Sequence, residues 1–262
     1  MRSNTVRGVI DTGDVAVNAW LSGDSAYVAE AVSHAGFDSV TVDLQHGMFG
    51  TDSAVRLLQA VSSGPATPMA RCSSSDPAQI GKLLDAGAYG VICPAIDDAD
   101  SCADFVASCR YPPHGRRSYG PARGLLYGGA DYVTEADRTV LTWAMVESRQ
   151  ALDNLDEIVN VDGLDGIYVG PNDLALSLGE RPGQLSPTVL KALHKVADTV
   201  RGAGRYVGGF CADESEALQL VEAGFHLVTP GNDIGLLRDA ATRRIAAVRG
   251  GAGTSRIAAG GY

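Results

Sequence analysis

Asp162-Gly163-Leu164-Asp165-Gly166-Ile167-Tyr168-Val169-Gly170 is the stretch whose reading decides the fold. Its first glycine suits the left-handed position that ends a helix. A short apolar run follows within three residues. Three other segments repeat the pattern: His34-Ala35-Gly36-Phe37-Asp38-Ser39-Val40-Thr41-Val42-Asp43, Asp85-Ala86-Gly87-Ala88-Tyr89-Gly90-Val91-Ile92-Cys93-Pro94, and Glu222-Ala223-Gly224-Phe225-His226-Leu227-Val228-Thr229-Pro230. Helix-to-strand joints this short are what a parallel sheet flanked by helices requires.

Working outward, Val189, Leu193, Val196 and Val200 recur at helical spacing, as do Ile234, Leu237, Ala241, Ile245 and Val248. Both sets are amphipathic stripes. Strands are predicted near 15–21, 39–43, 68–72, 89–93, 140–146, 166–169, 206–210 and 226–229. Helices are predicted near 24–35, 51–63, 76–86, 98–109, 149–159, 171–178 with 186–202, 213–223 and 232–248. Eight strands alternating with helices over about 250 residues have the size and order of a single-domain (β/α)8 TIM barrel. Its core is expected over about 15–248, with a linker-like, mobile tail over 249–262. A doubly wound open sheet is the rival. It usually announces a Gly-rich phosphate loop after the first strand, and Leu21-Ser22-Gly23-Asp24-Ser25 is not one. The longest connection, Cys109 to about Arg138, reads as a structureless loop of the kind that is functional or disordered.

Bulk properties narrow the function. The chain has 262 residues, 45% apolar and 20% charged, with a net charge of −10. Such an acidic surface lacks the electrostatic footprint for nucleic acid or an anionic membrane. No apolar run reaches the roughly 18 residues of a membrane span. The segment Met1-Arg2-Ser3-Asn4-Thr5-Val6-Arg7 lacks the apolar core of a signal peptide. Cys72, Cys93, Cys102, Cys109 and Cys211 form no CxxC pair, which suits reduced thiols in a cytoplasm.

In such barrels the active site is built at the carboxyl ends of the strands. Asp43-Leu44-Gln45-His46-Gly47 ends the second predicted strand, Arg71-Cys72 the third, and Glu147-Ser148 the fifth. Gly170-Pro171-Asn172-Asp173 ends the sixth. Glu147 and Asp173, on consecutive strands, can hold a hard divalent cation with water filling other positions. A cation there leaves room for a bidentate 2-oxo acid and would favour its enolate when a C3 proton leaves. Arg71 would stabilise the same developing oxyanion. Backbone N–H groups from Gly170 to Asn172 and Asp173, at the start of the next helix, suit the substrate carboxylate. His46 would move protons to and from an aldehyde oxygen, oriented by Asp43 or Asp85. Gln45 and Arg123, the latter on the long connection, complete the substrate-binding candidates. By spacing alone Asp85 is structural, because it closes a helix away from the strand ends. Each candidate has a plainer reading as well: strand-end polarity for Glu147, a first-turn acid for Asp173, a solvated cation for Arg123. Lys82, Lys191 and Lys195 all fall on predicted helices, so no Schiff-base lysine is indicated.

Gly36-Phe37-Asp38 through His46-Gly47, Asp76-Pro77 through Gly87, Arg110-Tyr111-Pro112-Pro113-His114-Gly115-Arg116-Arg117, Val146-Glu147-Ser148 and Gly166 through Leu174 together resemble the HpcH/HpaI family of metal-dependent class II pyruvate aldolases. The match runs in order from about residue 15 to 248. The resemblance implies a (β/α)8 barrel, Mg²⁺, Mn²⁺ or Co²⁺, and reversible cleavage of a 2-oxo-4-hydroxy acid to pyruvate and an aldehyde. By position it makes Glu147 and Asp173 the metal ligands, Arg71 the pyruvate-binding arginine and His46 the acid–base group. Asp43 and Asp85 accompany it, Asp85 typically from a neighbouring subunit. It also implies a hexamer, a trimer of dimers, with a C-terminal helix exchanged between subunits. Two positions depart from the pattern. Met145 stands where many members carry Gln, and Gln45 where many carry Glu. Gln-His-Gly also resembles relatives of the macrophomate-synthase type, so oxaloacetate decarboxylation with coupling of the enolate stays open as an alternative. A non-catalytic 2-oxo-acid-binding protein is the reading from another class. The aldehyde pocket is expected from the long connection, Gly47-Met48-Phe49-Gly50 and a neighbouring chain.

Overall fold

The computed structural model describes residues 1–250, so most of the tail expected over 249–262 lies outside the described residues. Eight parallel strands close a barrel in sequence order: β1 (Ala16–Leu21), β2 (Ser39–Asp43), β3 (Thr67–Arg71), β4 (Gly90–Cys93), β5 (Leu141–Val146), β6 (Gly166–Val169), β7 (Tyr206–Cys211) and β8 (Leu227–Pro230). The last strand pairs with the first, Ala16 against Leu227 and Val17 against Val228. No edge is left unpaired, so the open-sheet rival is excluded. The helices are α1 (Thr5–Asp11), α2 (Ala26–Ser33), α3 (Thr51–Val61), α4 (Pro77–Asp85), α5 (Ala99–Cys109), α6 (Ala122–Gly128) and α7 (Tyr132–Thr139). They continue with α8 (Arg149–Asp153), α9 (Leu155–Ile158), α10 (Pro171–Ser177), α11 (Pro187–Gly202), α12 (Glu214–Glu222) and α13 (Asp233–Gly250). Lys82 lies on α4, and Lys191 and Lys195 on α11, so none sits on a strand end.

Two apolar layers hold the fold. Outward strand residues such as Val40, Val42, Val91, Val146 and Ile167 pack under the helices with Leu57, Leu83, Phe105 and Val196. Inside the barrel Trp20, Met69, Ile92, Leu141, Trp143, Met145, Tyr168 and Leu227 form a second cluster. A hydrogen-bonded polar layer crosses the interior. Asn18 accepts from Ser39 and Thr41 and donates to Thr229, which also takes the Tyr168 hydroxyl proton at 2.7 Å. Every member is satisfied, so these buried polar groups order the interior at little desolvation cost.

Three features differ from the sequence reading. α1 was not expected; it plugs the amino-terminal rim, burying Val6 and Ile10 against the interior cluster. Asn4 caps it and ties it to the Tyr89 and Thr139 carbonyls at 2.9 Å each. The long connection is not structureless, since it contains α6 and α7. Nearly fully buried Arg117 pins it by donating to the Tyr132 hydroxyl and to Asp85. Being a helix-to-strand joint, it lies at the rim opposite the strands' carboxyl ends and cannot line the mouth of its own barrel. Finally, the α13 stripe lies on a helix but finds no cover among the described residues: Leu237 is 67% exposed and Val248 78%.

Candidate active site

The carboxyl ends of β2, β3, β5 and β6 bring Asp43, Arg71, Glu147 and the first turn of α10 to one rim. Asp43 is 1% exposed and fully engaged. Its Oδ1 accepts from Arg71 Nε at 2.8 Å and from the backbone N–H groups of Gln45 and His46 at 3.0 and 3.3 Å. Its Oδ2 accepts from Arg71 Nη2 at 2.6 Å and from Trp20 Nε1 at 3.0 Å. Burial works against the charged carboxylate, but the Arg71 guanidinium and the Trp20 N–H outweigh it and hold Asp43 below its ordinary range. Asp43 therefore orients Arg71 and the backbone of the turn after β2, rather than the His46 imidazole. Gly47 is required in that turn, because a Cβ there would meet the Asp43 carbonyl oxygen at 2.1 Å. The turn leaves the His46 side chain exposed at the rim.

Arg71 is clamped along one edge and stacked, its Cζ lying 4.8 Å from the Trp20 ring centroid. The other edge, Nη1, meets only the Met145 thioether at 3.8 Å, a weak acceptor. That edge therefore keeps donor capacity that nothing stronger than a thioether takes up.

Glu147 follows β5 directly. Its Oε1 accepts from the Ala95 N–H at 2.9 Å, while Oε2 is buried with no hydrogen-bond partner. Burial pushes the Glu147 carboxyl above the usual carboxylate range, and Asp173 and Asp97 add to the rise; the Ala95 N–H and Arg71 oppose it. A buried carboxylate oxygen without a partner, within electrostatic reach of the Asp173 carboxylate, is costly for the fold and suits a cation. Gly170 makes room for it: a Cβ at 170 would lie 2.6 Å from Glu147 Oε2 and 2.6 Å from Met145 Cε. Among the described residues no group of three or more His, Cys, Asp and Glu could hold a metal. Glu147 and Asp173 would supply at most two carboxylates, a donor set that suits a hard divalent ion whose other positions are filled by substrate and water. Gly170→Ala is expected to fold, because both obstructing atoms end flexible side chains. It should weaken Mn²⁺ binding by about 10-fold or more, as read by titration calorimetry.

The remaining candidates divide. Gln45 Oε1 is buried without a partner at the same rim. Asn172 is exposed, and its Oδ1 accepts from the Gly183 N–H at 2.8 Å, bracing the loop after α10. Asp85 and Arg123 are not brought to this mouth. Asp85 ends α4 at the opposite rim and pairs with Arg117, and Arg123 donates to the Ala86 carbonyl at 2.6 Å. Sequence reasoning missed Trp20, which donates to Asp43 and stacks on Arg71, and the Ala95 N–H, which no residue type announces.

The profile described as HpcH/HpaI aldolase/citrate lyase matches residues 17–240. The chain belongs to this family. It is 38% identical over 248 residues to a hydroxypyruvate/pyruvate aldolase of Rhizorhabdus wittichii, covering 94% of this chain and 99% of that one. It is 32% identical over 258 residues to a 2-keto-3-deoxy-L-rhamnonate aldolase of Escherichia coli O157:H7, covering 97% of each. A crystal structure of an HpcH/HpaI aldolase/citrate lyase family protein from Burkholderia cenocepacia superposes with a TM-score of 0.88 at 32% identity, covering 94% of this chain and 100% of that one. As a member of the HpcH/HpaI family the chain is a carbon–carbon lyase of the class II pyruvate-aldolase kind, a divalent-metal-dependent family. No helix among the described residues is long and apolar enough to cross a membrane.

Proposed function

We propose that the protein cleaves a 2-oxo-4-hydroxy acid reversibly to pyruvate and an aldehyde, using Mg²⁺, Mn²⁺ or Co²⁺ held by Glu147 and Asp173. The observation that carries this reading is the orphaned Glu147 Oε2, which feels the charge of Asp173 and has its space cleared by Gly170. Bound there, the cation supplies Lewis acidity to the substrate's keto oxygen. The chain's own residues do the rest. Arg71, locked on Asp43 and Trp20, offers its Nη1 edge to the oxygen on which charge builds. The first-turn N–H groups of α10, at Asn172 and Asp173, face the substrate carboxylate. Gln45 Oε1 is free to accept from a substrate hydroxyl. His46 takes the proton from the C4 hydroxyl as the C3–C4 bond breaks and returns one to C3 of the enolate.

Stripping the protein with a chelator is expected to abolish pyruvate release from a panel of 2-oxo-4-hydroxy acids, and Mn²⁺ or Mg²⁺ to restore it. Activity indifferent to chelation, or inactivation by borohydride in the presence of pyruvate, would refute the reading. Turnover of oxaloacetate in the same assay, with no turnover of the hydroxy acids, would favour the decarboxylase alternative.

We also propose that copies of the chain assemble, as a trimer of dimers. The uncovered α13 stripe supports this, since Ile234, Leu237, Ile245 and Val248 are all exposed in one chain. Leu237→Glu with Val248→Glu should lower the mass measured by light scattering. An unchanged mass would remove α13 from the interface.

A further inference from the structure

Ala95 lies in the loop between β4 and α5, and among the described residues it is the one non-glycine with positive φ, 54°. That conformation crowds any residue with a Cβ. Residues held in this way persist only where their surroundings over-determine them, and they gather at functional sites. The side chain does not provide the compensation, because Ala95 is exposed and its methyl group is not packed into the core. The backbone does. The Ala95 N–H donates to Glu147 Oε1 at 2.9 Å, and the next N–H, that of Ile96, donates to the Met145 carbonyl at 3.2 Å. The loop is stitched to the same place again two residues on. The Ser148 hydroxyl donates to Asp97 Oδ1, and Asn154 Nδ2 donates to the Asp97 carbonyl at 2.8 Å. Four contacts thus tie residues 95–97 to the segment from Met145 to Asn154.

We infer that Ala95 is a positioning residue: its left-handed backbone turns one N–H onto Glu147 Oε1 so that Oε2 alone is presented to the cation. With Oε1 engaged, turning the carboxylate away from the site breaks that hydrogen bond, so one defined oxygen is favoured in the space that Gly170 leaves open. A carboxylate ligand held by an outer donor binds its metal more tightly because less freedom is lost on binding. This inference rests on the proposed role of Glu147 as a ligand.

The test replaces the Pro94–Ala95 amide with an ester, which deletes that N–H; it also weakens the Pro94 carbonyl as an acceptor, a group that takes only a long contact from the Cys93 thiol at 3.8 Å. Ala95→Gly and Ala95→Val accompany it. Glycine keeps the donor and accepts the conformation; valine keeps the donor but disfavours the conformation. Mn²⁺ affinity is read from free-ion electron paramagnetic resonance, and the melting temperature is measured on metal-free protein. The ester and Ala95→Val are expected to weaken Mn²⁺ binding by about 10-fold or more, with Ala95→Gly within about 3-fold of wild type. Undiminished affinity in the ester protein would overturn the inference. So would equal losses in Ala95→Gly and Ala95→Val, or losses that merely follow the melting temperature. Glu147→Gln separates the two levels: if it still binds Mn²⁺ as wild type does, the ligand assignment fails and this inference with it. If Glu147→Gln loses binding and the ester does not, only the role of Ala95 fails.

Discussion

Glu147→Gln is expected to lower kcat/KM for pyruvate release by about 1,000-fold or more, equivalent to about 4 kcal/mol of transition-state stabilisation. The amide can still accept from the Ala95 N–H, so the loop from Ala95 to Asp97 should stay in place. What disappears is a buried negative charge that the fold carries at a cost. The carboxyl of Glu147 is raised by burial and by the nearby charge of Asp173. A carboxyl with a folded pKa above its unfolded value destabilises the fold where it is ionised, and this cost vanishes as the pH falls through the folded pKa. Metal-free Glu147→Gln should therefore melt no lower than metal-free wild type at pH 8. The comparison should shift in favour of wild type as the solution is acidified. In excess Mn²⁺ the order at pH 8 should reverse, because only wild type gains the binding free energy. A Gln variant that melts well below wild type without metal would mean that Glu147 supports the fold rather than the chemistry.

The barrel was legible because its signals are local. Gly36, Gly87, Gly163 and Gly224 mark four helix-to-strand joints, and all four have positive φ, from 79° to 103°. A glycine there, followed by an apolar run, is enough to place a strand to within one or two residues. Strand ends then locate Asp43, Arg71 and Glu147, because a parallel barrel puts all carboxyl ends on one rim. What could not be read depends on partners distant in sequence. α1 spans only Thr5–Asp11, two turns, too short to declare a period. α7 buries only Tyr132 and Ala136, so it too looked like loop. The stripe on α13 was read at its correct period, but period says nothing of what covers it. Within the site, residue type misled once. Asp43 and His46 are three positions apart, and an acid so near a histidine suggests a pair that orients the ring. The acid is instead consumed by an arginine from the next strand and a tryptophan from the strand before.

That arrangement makes Asp43→Asn the substitution with the largest expected effect on stability. The Asp43 and Arg71 side chains are 2% and 8% exposed and meet through two short hydrogen bonds. Removing the charge of one partner leaves the other buried without compensation, which costs about 3–5 kcal/mol. For a chain of this size that is a fall in melting temperature on the order of 10 °C. Activity should fall as well. Arg71 would no longer be held along Nε and Nη2, so its Nη1 edge would have to be oriented during each turnover, and kcat and kcat/KM should both drop. The pH dependence has a definite sign. The folded pKa of Asp43 lies below its unfolded value, so its contribution is complete above the ordinary aspartate range of about 4 and is lost as the pH falls through the folded pKa. The gap in stability between wild type and Asp43→Asn should accordingly be widest at neutral pH and close on acidification. Trp20→Phe provides the contrast. It removes one donor to Asp43 Oδ2 and keeps a ring near the guanidinium, so about 1–3 kcal/mol is at stake. Should both variants cost the same, the stability would reside in the packing of the Trp20, Tyr168 and Phe210 rings, and the ion pair would be incidental.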